Sequence, residues 1–148
     1  MNKIRHIAFA SDHPGNAADF YKKAFGLREL RRFGIDEASG EAKRPSGVFL
    51  TDGSINIAIL KFSNDQLGKG IDYLGMHHFG VIVDDVEAWT KKLETLGAEQ
   101  LESQYAVPPG AHAEFKFRGP DGVVFDITGQ PWEGCEEDTA RAAAHAAE

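Results

Sequence analysis

The chain has 148 residues, 42% hydrophobic and 26% charged, enough for one compact domain or two small units sharing a core. Its formal charge of −7 argues against duplex nucleic acid or an anionic membrane as a partner, since both call for basic patches. A lone cysteine, Cys135, excludes an intrachain disulfide framework, and the lack of a long apolar run or a signal-peptide pattern at Met1 predicts a soluble, cytoplasmic protein.

In chain order, Ile4–Ala10 (IRHIAFA) is a short β-patterned run with a histidine at its third position. A polar turn follows, in which Asp12 can cap a helix with Pro14 in its first turn, and the helical pattern runs from Pro14 to Phe25. Gly26 stands where a helix needs a left-handed stop. Arg28–Phe33 supplies a strand, and Asp36–Ser46 is a polar loop of the kind that covers sites. GVFLTDGSINIAILKF then gives two strands around the turn Asp52-Gly53. This first unit spans residues 1–62, and a linker with Gly68 and Gly70 spans 63–75.

The same series then recurs over residues 76–130. MHHFGVIV carries a histidine at the matching position. Asp84 or Asp85 can cap a helix over Val86–Leu96, and Gly97 is its stop. Glu99–Ser103 supplies a strand, and AEFKFRGPDGVVFDITG supplies two more around Pro120-Asp121-Gly122. The order β-α-β-β-β thus occurs twice. The last segment, residues 131–148, ends in an Ala-rich helical pattern with little to bury, expected to fray or to pack on a partner.

HIAF, FYKKAFGL, the second HFGV with DDVEAW, and GPDGVVFDI, in this order and duplicated, resemble the vicinal oxygen chelate superfamily over about residues 3–130. That group includes glyoxalases, extradiol dioxygenases, methylmalonyl-CoA epimerases and antibiotic-resistance proteins. The resemblance implies an α+β fold in which two βαβββ units form an open eight-stranded cup with helices outside. It also implies a metal in the cup, held by the first and last strands of each unit.

Strand alternation selects the candidate ligands. His6 shares a roomy face with Ala8 and Ala10, and His78 shares one with Gly80. His77 falls on the opposite, packed face, so His78 is the expected ligand, and the repeat alignment agrees. Asp126 alternates with Phe125 and Ile127 and so points into the cup, where family members usually carry glutamate. The repeat sets Ala58 opposite Asp126, so the fourth ligand of glyoxalases and epimerases is missing; Asn56 is a weak substitute. Singly, such residues are ordinary half-buried strand positions, but together they suggest a metal site. Two imidazoles and one carboxylate suit Fe(II) first, with Mn(II), Zn(II), Co(II) or Ni(II) as alternatives, bound at roughly 2.0–2.2 Å.

The His-His-carboxylate set resembles that of extradiol dioxygenases, acting on a small substrate that chelates the metal through neighbouring oxygens. A glyoxalase-like lyase or isomerase is an alternative, and a metal-free drug-sequestering protein is another. Acid–base partners are sought in QYAVPPGAHAEFKF, where His112 and Tyr105 are the catalytic candidates beside Glu114. His13 reads as a turn residue, and His145 in the tail carries no signal. An apolar stripe through Ala140, Ala143, Ala144 and Ala147 suggests a homodimer.

Overall fold

The computed structural model describes residues 2–101 and 112–147. Its first unit contains β1 (Lys3–Ala10), α1 (Pro14–Phe25), β2 (Arg28–Ile35), β3 (Ala42–Thr51) and β4 (Asn56–Lys61). The second contains β5 (Gly75–Ile82), α2 (Val86–Thr95), β6 (Glu99–Gln100), β7 (Phe115–Arg118) and β8 (Val124–Thr128), and is followed by α3 (Glu136–Ala146). The eight strands form one α+β mixed sheet in the order β2-β3-β4-β1-β5-β8-β7-β6.

The sheet's centre is the antiparallel pair β1–β5, which joins the two units. On either side runs one parallel pair, β1 with β4 and β5 with β8. The registers match across the repeat: Ala8 pairs with Ala58, and Gly80 pairs with Asp126. Helices α1 and α2 each cover the outer face of their own unit. Ala18 of α1 packs with Val48, Leu50 and Ile59, joined by Phe9 and Ile57. Val86, Trp89 and Leu93 of α2 pack on Val83, Phe117 and Ile127. Period-2 alternation therefore sends the bulky set outward beneath the helices and leaves the other set to line the cup.

Two local expectations change. Asp12 does not cap α1: the N-cap is His13, with no side-chain cap bond, whereas Asp85 does cap α2 through Ala88 N–H. The polar loop is shorter than expected, because β3 begins at Ala42 and pairs Ala42 with Ile35. Asp36 Oδ1 closes the remaining turn by accepting from the backbone N–H groups of Ala38 and Ser39.

The C-terminal segment is docked at its start rather than frayed. Trp132, Cys135 and Asp138 are buried, and Asp138 Oδ2 accepts from Arg5 Nε at 2.6 Å. Thr51 Oγ1 donates to the Gly134 carbonyl, and Cys135 Sγ lies 3.4 Å from the Arg5 carbonyl. Burial raises the Cys135 thiol pKa, in keeping with an inert residue. Beyond this anchor, Ala140, Ala143, Ala144 and Ala147 remain exposed.

Candidate metal centre

His6, His78 and Asp126 come from β1, β5 and β8, three adjacent strands drawn from both units. Their exposures are 4%, 7% and 0%. His6 Nε2 lies 3.3 Å from His78 Nε2, and His78 Nε2 lies 2.9 Å from Asp126 Oδ2. One donor atom from each residue falls within 4.8 Å of the other two. Donors bound to one first-row ion at about 2.1 Å stand about 3.0–3.4 Å apart, close to the two spacings seen.

The surrounding hydrogen bonds orient these atoms toward one another. Asn56 Nδ2 donates to the Glu133 carbonyl at 2.9 Å, which turns Asn56 Oδ1 toward His6 Nδ1 at 2.8 Å. His6 therefore carries its proton on Nδ1, and its Nε2 lone pair faces the cluster. His78 Nδ1 meets His77 Nδ1 at 2.7 Å, and with His78 as donor its Nε2 is also free. The 3.3 Å contact between the two Nε2 atoms then accommodates either a shared proton or a cation accepted by both. Asp126 Oδ2 is buried and accepts no hydrogen bond: His78 Nε2, 2.9 Å away, has no proton to give when His78 donates through Nδ1. A buried, unsatisfied carboxylate oxygen beside two imidazole nitrogens fits a divalent metal.

Asn56 thus stands behind His6 as its hydrogen-bond partner instead of serving as a substitute ligand. Ala58, fully buried, occupies the position matching Asp126. His77 does not lie under α2 as strand alternation predicts. The β1–β5 register skips from Ala8↔His78 to Phe9↔Met76, leaving His77 as the extra residue of a bulge. Its ring stacks on Phe62, with centroids 3.9 Å apart, and its Nδ1 meets His78.

Electrostatics favour a neutral His6 and an ionised Asp126. Burial lowers the His6 pKa, helped by repulsion from His78, and burial lowers that of His77 to about 3. Burial by itself raises the Asp126 carboxyl, but the adjacent His78 and the Lys116 ammonium outweigh it and hold Asp126 well below the usual carboxylate range. Lys116 Nζ donates to Asp126 Oδ1 at 2.5 Å from the neighbouring strand β7, where the two residues are cross-strand partners.

Above the cluster opens a cavity of about 770 Å³, lined by His6, His78 and Ala58 together with Leu60, Phe62 and Lys116. Trp132 stacks on His6 with the planes 6° apart, and Gly80 makes room for it: a Cβ at Gly80 would lie 2.7 Å from the indole and 2.9 Å from His6 Cβ. Trp132 Nε1 donates to Glu114 Oε1 at 2.5 Å. His112 also lines the cavity, with Nε2 at 3.4 Å from the same Glu114 oxygen. Burial raises the Glu114 pKa, but its contacts with His112, His6 and Trp132 bring it below the usual value. Tyr105 lies outside the described residues, so its catalytic role stays an expectation.

Two contributors escape the sequence reading. Lys116 could have been found, because it alternates with Phe115 and Phe117 and so shares the face of Glu114. Trp132 could not, because nothing periodic in the segment after β8 indicates that it folds back over His6.

Among proteins of known family, the model described as Glyoxalase/Bleomycin resistance protein/Dioxygenase superfamily matches residues 3–127. No curated protein matches the chain. Among solved structures, a hypothetical protein of Bacillus halodurans C-125 is similar at 19% identity, covering 86% of this chain and 93% of its own, with a TM-score of 0.63. A Streptomyces coelicolor methylmalonyl-CoA epimerase variant in complex with 2-nitronate-propionyl-CoA is 18% identical, with coverages of 85% and 95% and a TM-score of 0.61. The Mycobacterium tuberculosis methylmalonyl-CoA epimerase is 16% identical, with coverages of 95% and 91% and a TM-score of 0.61. At these identities the likeness concerns the fold.

Proposed function

The chain belongs to the glyoxalase/bleomycin resistance protein/dioxygenase superfamily, and from that premise we propose a metal-dependent enzyme whose chemistry is of the extradiol-dioxygenase kind. His6, His78 and Asp126 would hold a divalent cation, Fe(II) by preference, and the substrate would be a small molecule with neighbouring oxygens. The observation that carries this reading is Ala58. Repeat symmetry places it where a fourth protein ligand would stand, so a three-donor set faces an open cavity. When bound, the cation supplies Lewis acidity and, as Fe(II), redox capacity toward O₂.

The chain's own groups do the rest. Asn56 and His77 orient the two imidazoles. Lys116 holds one Asp126 oxygen and so leaves the other for the cation. Trp132 shields His6 from water. The apolar wall from Leu60 and Phe62 receives the body of the substrate. His112 beside Glu114, together with Tyr105, would handle protons. The exposed alanine stripe of α3 supports a homodimer, and the lone buried Cys135 is compatible with a cytoplasmic location. No helix among the described residues is long and apolar enough to cross a membrane.

Glu114 favours a second reading. A carboxylate lining the cavity could move a substrate proton, as an isomerase or lyase requires. The test is one preparation, stripped by chelator and reloaded anaerobically with Fe(II), Mn(II), Zn(II) or Co(II). Oxygen uptake with a panel of catechols and ring-cleavage absorbance with Fe(II) alone support the dioxygenase. Solvent-deuterium exchange into 2-hydroxy, 2-oxo or thioester substrates without oxygen uptake supports the isomerase or lyase instead. A protein that takes up no metal leaves the sequestering role.

A further inference from the structure

We propose that Lys116 is a substrate-binding residue whose ammonium receives an ionised oxygen, so that the cup takes its substrate as an anion. This inference rests on the metal reading of His6, His78 and Asp126, and it names the substrate's charge state.

An ammonium carries three donors, and Asp126 Oδ1 takes one of them. The Lys116 side chain lines the cavity and is 21% exposed, so it reaches the space a ligand would fill. Its position is set by the sheet, because Lys116 and Asp126 are directly paired across β7 and β8. An oxygen bound beside the Asp126 carboxylate therefore lies next to this cation. The apolar wall of Leu60 and Phe62 belongs to the first unit, whereas Lys116 belongs to the second. One substrate lying between them would present its charged edge to Lys116 and its apolar edge to that wall.

Charge balance points the same way. The histidines ligate as neutral rings. Arg31 and Glu133, also lining the cavity, pair with each other at 3.1 Å and cancel. Asp126 and Lys116 likewise cancel, which leaves Glu114 against a divalent ion. The loaded cup then holds one positive charge in excess, and a buried uncompensated charge is unfavourable. A substrate entering with a single ionised oxygen, such as a monodeprotonated catechol, an enolate or a 2-hydroxy acid, neutralises it. A purely structural lysine would act only through Asp126, and so only through the metal.

The experiment loads wild type, Lys116→Met and Lys116→Arg with Zn(II), which is redox-silent. It then titrates each with 4-nitrocatechol, whose absorbance reports its ionisation, and with lactate. Zn(II) affinity is measured in parallel by competition with a chromophoric chelator. With Zn(II) saturating, the expected result is that Lys116→Met loses at least about tenfold in affinity for the anion beyond whatever it loses in Zn(II) affinity, and that Lys116→Arg recovers most of that loss. Unchanged anion affinity in Lys116→Met overturns the inference. So does a parallel loss of Zn(II) and anion in Lys116→Met, because the lysine then acts only on Asp126. Wild type that holds Zn(II) but binds neither anion also overturns it, with the metal reading left standing. Wild type that takes no Zn(II) or other divalent ion overturns both.

Discussion

His77 and His78 are consecutive in β5, yet their Nδ1 atoms lie 2.7 Å apart. In a regular strand such neighbours point to opposite faces. The bulge at His77 removes that separation and brings both rings to one side, where His77 becomes the hydrogen-bond partner of a candidate ligand.

Replacing either histidine should therefore affect metal, but by different amounts. Strand alternation alone predicts that a His77 variant keeps its metal largely intact; the bulge revises this. His78→Ala should abolish binding. His77→Phe can retain the stack on Phe62 but loses the Nδ1 partner, and metal affinity should fall by about 10–100-fold. Metal content after dialysis and competition titration measure both. Loss of metal in the His77 variant with retention in the His78 variant would exchange their assignments.

Because the three donors come from both units, metal should stabilise the docked pair by mass action. At a free concentration about 100 times the dissociation constant, the expected gain is about 2.7 kcal/mol. Thermal unfolding with graded Zn(II) checks this. A midpoint independent of added Zn(II), Mn(II) or Co(II) would count against the site.

Gly80→Ala tests how the tryptophan is seated. The added Cβ would lie 2.7 Å from Trp132 and 2.9 Å from His6 Cβ. A loss of about 1–3 kcal/mol is expected from overpacking, together with weaker metal binding as the His6 ring shifts. Urea unfolding and metal titration on the same preparation would show both effects.

The metal-free protein should lose stability in mild acid. Burial depresses the folded-state pKa of His6 and His77, in the latter from 6.5 to about 3. Below the unfolded value the denatured chain takes protons that the folded chain refuses. Stability is therefore fully present above about pH 6.5 and falls as pH drops toward the folded values. Each histidine contributes a slope of up to about 1.4 kcal/mol per pH unit. Asp126, also depressed, adds its loss only below the ordinary carboxylate range. Urea midpoints from pH 8 to 4 test this, and a shallower slope is expected for His77→Phe.

Asp138→Ala addresses the tail. Asp138 is buried, with Arg5 Nε at 2.6 Å and Lys3 Nζ at 3.7 Å. Removing the carboxylate leaves the part-buried Arg5 guanidinium without that partner and should cost about 1.5–3 kcal/mol. Sedimentation of a variant with charges at Ala143 and Ala144 tests the proposed dimer separately, since those residues are exposed. An undisturbed dimer would place the interface elsewhere.

The sequence alone carried the duplicated βαβββ order, the helix over Pro14–Phe25 and the face on which His6, Ala58 and Asp126 lie. These are local properties, because periodicity, turn residues and repeat alignment are all written within short windows. Ala58 opposite Asp126 was legible for the same reason: repeats that fold alike keep matching registers. Tertiary structure alone decided the rest. A β-bulge depends on how two distant strands slide against each other, so the facing of His77 could not be read from β5 itself. Asn56 became the partner of His6 because the Glu133 carbonyl, far along the chain, orients its amide. Trp132 reached His6 because Gly80, on another strand, leaves a gap for it. Each of these joins residues distant in sequence, and their energies arise only once the sheet and the C-terminal segment are packed together.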